Sequence, residues 1–368
     1  MGNLLVALHS IAALASTHSN TLVIVDEAYK DIVESVPGID NVLYYPRGWF
    51  RKKGLLGRLK LLRRFVWTLR AHRANLLLNF DAKGLATFVA MIPRAKTRWG
   101  LVNSAYKSFY DRIVARNERP HRYYHYAQLV TELLGTCDKS RYPQLTISTR
   151  HQQSLDRTLA AHQVKPAQPY ICIHAGATKA YKQWPAANFA HTADWLAEQG
   201  FQVVFIGAGA GDSAIIDDVL NQSAKPHINL CDKLNLGELM SLFSTCTFFL
   251  GNDSGPMHLA TATGAPVFAL FGPTDVQRWG PLGKRATIIR DPEPCTPECS
   301  KKFCPQDFRC LKLLDESVIR NVLAQHLVKL TQTTRSDMDR DVSADVSAGI
   351  SDATRPRTRN SRASVGKP

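Results

Sequence analysis

Apolar and polar positions along this chain fall into a repeating strand–helix rhythm. In the first half, residues 3–15 recur at helical spacing, and short apolar runs at 21–25, 41–45 and 74–80 read as buried strands. Helical patterns lie between and after them at 29–36 and 85–92, and residues 104–136, rich in Tyr and Arg, also read as helical. The second half repeats the rhythm. Its spacing predicts strands at 169–174, 201–206, 246–250, 266–271 and 286–289, and helices at 186–199, 212–221, 235–244, 256–263 and 315–331. Strands alternating with helices predict βαβ units and parallel sheets. The expected architecture is α/β, with one doubly wound domain over 1–145, a linker over 146–168 that contains a helix, and a second doubly wound domain over 169–333. Residues 334–368 turn to Ser, Asp and Ala, then Arg and Pro, with no aromatic residue, which predicts a disordered tail.

Chemistry gathers where these strands end. The apolar run 246–251 leads into Asn252, Asp253, Ser254 and Gly255, and a helical run follows from Pro256. Asp253 or Ser254 can cap that helix, and Gly255 permits close backbone approach. The N–H groups of its first turn favour a phosphate, although an ordinary capped helix has the same residues. The strand at 170–174 enters a loop of small residues carrying Thr178, Lys179 and Lys182, with Pro185 at the start of the next helix. Thr178 can donate to a phosphate oxygen and either lysine can neutralise one, or simply stay solvated. A third strand, 268–271, ends in Gly272, Pro273, Thr274 and Asp275. Three such strand ends suggest a ligand crevice at the carboxyl edge of a parallel sheet.

Charge adds a second theme. The chain has 368 residues and a formal net charge of +15. Ten Lys or Arg residues and no acid fall within 47–73, where Leu55, Leu59, Leu62, Val66 and Leu69 recur at helical spacing. That is a basic amphipathic helix, whose leucine stripe either packs on the sheet or meets a partner. An anionic leaflet or a phosphorylated glycolipid fits the charge; no nucleic-acid motif accompanies it. No apolar run approaches the roughly 18–20 residues of a membrane helix, and no basic region precedes the first apolar run, so the chain reads as cytoplasmic. Gly207, Gly209 and Gly211 miss the dinucleotide-binding spacing, which argues against an oxidoreductase. Cys295, Cys299, Cys304 and Cys310 sit within sixteen residues and form a candidate structural metal site, or a reduced cap on a loop.

The series His174-Ala175-Gly176, Lys182-x-Trp184-Pro185, Asn252-Asp253-Ser254-Gly255-Pro256-Met257-His258 and Phe271-Gly272-Pro273-Thr274-Asp275 resembles glycosyltransferase family 9, the ADP-heptose:lipopolysaccharide heptosyltransferases. The resemblance is strong over about 168–330 and collinear over 1–140. It implies a GT-B fold, two Rossmann-like domains facing across a crevice. It implies inverting transfer of heptose from ADP-heptose to an inner-core lipopolysaccharide sugar, without catalytic metal or cofactor; the excess positive charge adds an anionic inner-membrane surface as the expected partner.

By the same resemblance, Thr178, Lys182, Ser254 and Gly255 stabilise the departing ADP, Asp253 contacts the sugar, and Asp212 and Leu234 flank the adenosine. His258 meets a phosphate or packs. The family's usual base is the Asp of a Gly-Asp turn, but here the position is Asn3, and an amide cannot accept the proton. Asp81, at a strand end, is the substitute candidate, or else it caps the next helix. The substitution keeps open a catalytically impaired ADP- or glycolipid-binding member, beside a related nucleotide-sugar transferase. The family also has a strand before the first helix, so an upstream extension of roughly 5–10 residues is expected.

Overall fold

The structure, a computed structural model, describes residues 1–45, 54–80, 84–101, 107–115, 119, 121–137, 145–291, 304 and 307–329. Met1–Leu314 form one compact unit, and the helix at 316–329 belongs to a second.

The C-terminal half of the first unit is built on one parallel sheet. Its strands are β6 (Tyr170–His174), β7 (Gln202–Phe205), β8 (Ile228–Asn229), β9 (Phe249–Asn252), β10 (Val267–Leu270) and β11 (Ala286–Ile289), in the order β11-β10-β9-β6-β7-β8. Every residue of β9 and β10 is buried, as expected for strands covered by helices on both faces. The order reverses between β6 and β9, the switch point outside which ligands bind in open α/β sheets.

The N-terminal half does not make one continuous sheet. β1 (Val23–Asp26) pairs with β2 (Val42–Tyr45), and β3 (Arg73–Asn79), β4 (Arg94–Leu101) and β5 (Arg112–Val114) form a separate sheet; both are parallel. Helix α1 (Gly2–Thr17) serves both sides. Its Leu5 and Leu8 join Ile32, Val33, Val36 and Ile39, while its Val6 and Ala7 pack with Leu101, Val114 and Tyr126. The remaining helices here are α2 (Lys30–Glu34), α3 (Leu55–Ala71), α4 (Gly84–Met91) and α5 (Arg122–Leu134).

Three local expectations change. Residues 104–136 are not one helix: a short 3₁₀ turn at Lys107–Phe109 and β5 precede α5. β4 escapes the pattern because Arg94, Lys96 and Arg98 alternate with Ala95, Thr97 and Trp99, so this middle strand looks polar. On α3 the packed face is Phe65 and Leu69, whereas Leu59 and Leu62 of the expected stripe are exposed. Helix α6 (Thr149–Ala161) lies inside the expected linker, capped by Ser148, whose side chain accepts the His151 N–H at 3.2 Å. The tail 334–368 lies outside the described residues.

The two halves abut through polar contacts. The Leu145 N–H donates to Ala262 O (3.1 Å) and the Gly237 N–H to Asp31 Oδ2 (3.2 Å). Their apolar core is continuous, since Leu5, Leu8 and Val33 share a cluster with Met240, Phe243 and Leu259. The other helices are α7 (Ala186–Glu198), α8 (Ala210–Gln222), α9 (Leu236–Thr245), α10 (Gly255–Ala262), α11 (Val276–Trp279) and α12 (Arg309–Lys312).

Candidate functional site

The carboxyl ends of β6 and β9 lie side by side, with His174 in register with Gly251. The loops that leave them are stitched together by Asn252. Its side chain is fully buried, donates through Nδ2 to Ala175 O (2.7 Å) and accepts the Trp184 N–H through Oδ1 (3.1 Å). Trp184 is fixed in turn by its indole N–H on Leu314 O at 2.8 Å. This frame presents Lys182, whose Nζ donates to Asp253 Oδ2 at 2.5 Å. Thr178 is exposed on the same loop.

Ser254 is the N-cap residue of α10 and has the extended backbone of one, but its side chain makes no cap bond. Its hydroxyl lies 3.1 Å from His174 Nδ1, and His174 Nε2 lies 3.2 Å from Asp212 Oδ2. Asp212 stands in the first turn of α8 and also accepts the Ala208 N–H at 2.9 Å. Burial opposes ionisation of Asp212, but the hydrogen bonds from His174 and Ala208 outweigh it and hold the carboxyl below its usual range. Gly176 allows this approach, because a Cβ there would overlap the Asp212 carboxylate.

Two helix starts meet at this place. A Cβ on Gly255 would come within 2.7 Å of Met1 Cε, and one on Gly2 within 3.3 Å of the His258 ring. His258 is buried, and burial, with His121 and Lys182 nearby, pushes its pKa down to about 3. It is therefore a neutral imidazole at physiological pH. His121 anchors the other side, its Nε2 3.0 Å from Gly280 O, with burial lowering its pKa too. The uncapped N–H groups of α10, the start of α1 and the Lys182 ammonium make a site suited to an anion.

Lys182, Asp253, Ser254, Gly255, His258 and, through His174, Asp212 are thus gathered at one end of the sheet. Asn3 is exposed at the start of α1, beside that cluster. Leu234 is half-buried and packs on the core in front of α9. Asp81, Cys295 and Cys299 lie outside the described residues. Of the other two cysteines, Cys304 Sγ accepts the Phe308 N–H at 3.1 Å, and no group of three candidate metal ligands occurs among the described residues. The parts played by His174 and Asn252 are not anticipated from the sequence. The signal available for His174 is a histidine ending a buried strand two residues before a glycine.

Comparison with known proteins gives the family and the fold. The family model of glycosyltransferase family 9 (heptosyltransferase) matches residues 62–307. Lipooligosaccharide heptosyltransferase 2 of Haemophilus influenzae is 39% identical over 115 residues, a match spanning 30% of this chain and 32% of that protein. Lipopolysaccharide heptosyltransferase 3 of Escherichia coli is 28% identical over 246 residues, 62% of this chain and 67% of that one. The solved ADP-heptose LPS heptosyltransferase II of E. coli superposes with a TM-score of 0.70 at 20% identity, covering 90% of this chain and 96% of its own, which establishes the GT-B fold. The chain belongs to glycosyltransferase family 9, the heptosyltransferases.

Proposed function

We propose that this protein transfers heptose from ADP-heptose to an inner-core lipopolysaccharide sugar, inverting the anomeric centre without a catalytic metal. The observation that carries the reading is the uncapped start of α10 set beside Lys182 at the switch point of the sheet. An ADP leaving group gains negative charge on its phosphates as the glycosidic bond breaks. Preorganised N–H groups and an ammonium meet that charge where it develops. Lys182 would exchange its present bond with Asp253 for the diphosphate, which frees Asp253 to accept from sugar hydroxyls. Thr178 adds a donor from the rim, and Asp212 and Leu234 border the adenosine side. Inversion, the donor and the acceptor class rest on the family and on the names of the relatives. Asn3 stands where the family has its base, so the proton of the acceptor hydroxyl goes to another group, for which Asp81 is the candidate.

The acceptor would be met at an anionic membrane surface, with the protein peripheral to it on the cytoplasmic side. Helix α3 carries the surface for this. Arg58, Lys60, Arg63, Arg64 and Arg70 are all exposed on it, together with Leu56 (84% exposed) and Trp67 (75%). Leu56, Lys60, Arg63 and Trp67 follow one another at helical spacing on the side away from Phe65, which suits a helix lying in the headgroup layer. Among the described residues no helix is long and apolar enough to cross a membrane.

The test is incubation with ADP-heptose and truncated core acceptors, read by mass spectrometry. A gain of one heptose mass supports the proposal. ADP binding without transfer supports the impaired family member, and transfer from a different nucleotide sugar the related transferase.

A further inference from the structure

We propose that His174, oriented by Asp212, acts as a positioning residue that keeps the Ser254 hydroxyl off its own helix, so that the first-turn N–H groups of α10 remain open to a diphosphate. The inference rests on the donor site proposed above.

Serine is among the preferred N-cap residues because its hydroxyl accepts from the N–H of the second or third helical residue. In α10 the second residue is Pro256, which has no N–H, so the cap bond open to Ser254 is from Met257. The backbone of Ser254 is already in cap geometry, at φ −149° and ψ 173°. Within the same chain Ser148 caps α6 in the ordinary way. Ser254 instead turns to His174. The ionised Asp212 carboxylate accepts at Nε2 and so fixes the hydrogen of the ring there. Nδ1 is left as an acceptor, and the Ser254 O–H donates to it. His174 is 3% exposed, so water does not compete for that bond.

A second observation points to a ligand at the same turn. His258, fourth residue of α10, is buried, and its Nδ1 has no hydrogen-bond partner. A buried imidazole nitrogen left without a partner at an uncapped helix start is the pattern expected of a site that a ligand completes.

The test measures ADP affinity by titration calorimetry in wild type, His174→Ala, Ser254→Ala and the double variant. With the imidazole gone, Ser254 swings round to cap Met257 and competes with the ligand. His174→Ala should therefore weaken ADP by about fivefold or more, the size of one N-cap bond. Removing the hydroxyl removes the competitor, so the double variant should recover the affinity of Ser254→Ala. Unchanged affinity in His174→Ala, or a double variant that binds no better than it, overturns the proposal. Should His174→Ala not fold, two amide variants decide. His174→Asn, whose amide reaches the place of Nδ1, keeps ADP affinity, and His174→Gln, which reaches that of Nε2, loses it; equal affinities overturn the clamp. If wild type fails to bind ADP, the donor-site reading falls separately, and hydrogen exchange tests the clamp alone. The Met257 amide should then exchange more slowly in His174→Ala than in wild type, and an equal rate refutes it.

Discussion

Lys182 Nζ lies 2.5 Å from Asp253 Oδ2, and the carboxylate is 6% exposed. The pair gives Lys182 two duties. It neutralises a buried carboxylate at rest and offers an ammonium to the proposed diphosphate. Lys182→Ala should therefore lower transfer by about 10²–10³-fold, corresponding to roughly 3–4 kcal/mol of barrier. It should also destabilise the fold by roughly 1–3 kcal/mol, because Asp253 is left buried without its partner. Adding Asp253→Asn should restore the melting temperature without restoring transfer. Steady-state kinetics and thermal melts on the two variants separate these duties, and recovery of transfer in the double variant would remove Lys182 from the chemistry.

Helix α3 leads to a second expectation. Neutralising Arg63, Arg64 and Arg70 should weaken co-sedimentation with acidic liposomes, and raising salt should do the same to wild type by screening. Trp67→Ala should weaken binding at high salt as well, since the burial of an exposed indole does not depend on charge. A wild-type protein that ignores such liposomes at low salt would assign the charge to acceptor recognition instead.

The contrast between α3 and the C-terminal sheet shows which features can be read in advance. Strands such as β9 and β10 are buried on both faces, so their sequences are unbroken apolar runs and stand out. On α3, two apolar stripes overlap, one through Leu55, Leu59, Leu62, Val66 and Leu69 and one through Leu61, Phe65 and Leu69. Only tertiary packing selects the second. β4 hides behind alternating cations for a related reason: a strand's place in a sheet is not written in its own residues. The site divides in the same way. Its loops at the ends of β6 and β9 are local motifs with recognisable spacing. The His174–Asp212 bond joins residues 38 positions apart, and it depends on β7 lying beside β6, which no local pattern reveals.

Buried histidines set the acid limb of stability. The pKa of His258 is about 3 in the fold, against about 6.5 when unfolded, so the unfolded chain binds the extra proton between those values. Its neutral burial is fully tolerated above pH 6.5, and stability falls as pH drops below that. By pH 4.5 this one group should cost roughly 2–3 kcal/mol. His121 and His227 are lowered as well and add to the slope in the same direction. His258→Gln should flatten the dependence between pH 6.5 and 4.5 in chemical denaturation, and an unchanged slope would show that His258 is hydrated or charged in the native state.

Asn252 offers the sharpest test of how the site is framed. Its side chain holds Ala175 O and the Trp184 N–H at once, and thereby fixes the distance between the loop carrying Lys182 and the strand leading to Ser254. Asn252→Ala leaves both buried backbone groups without those partners, at roughly 1–3 kcal/mol for each group that water cannot reach. Asn252→Asp is the more telling variant. It nearly preserves shape and can still accept from Trp184, but it sets a carboxylate oxygen against the Ala175 carbonyl and places negative charge beside the proposed phosphate site. Asn252→Asp should therefore melt below wild type and lose ADP affinity by more than its stability loss explains. Calorimetric ADP titration well below the melting temperature measures this directly, and wild-type affinity in a folded Asn252→Asp protein would show that the two loops hold their spacing without this amide.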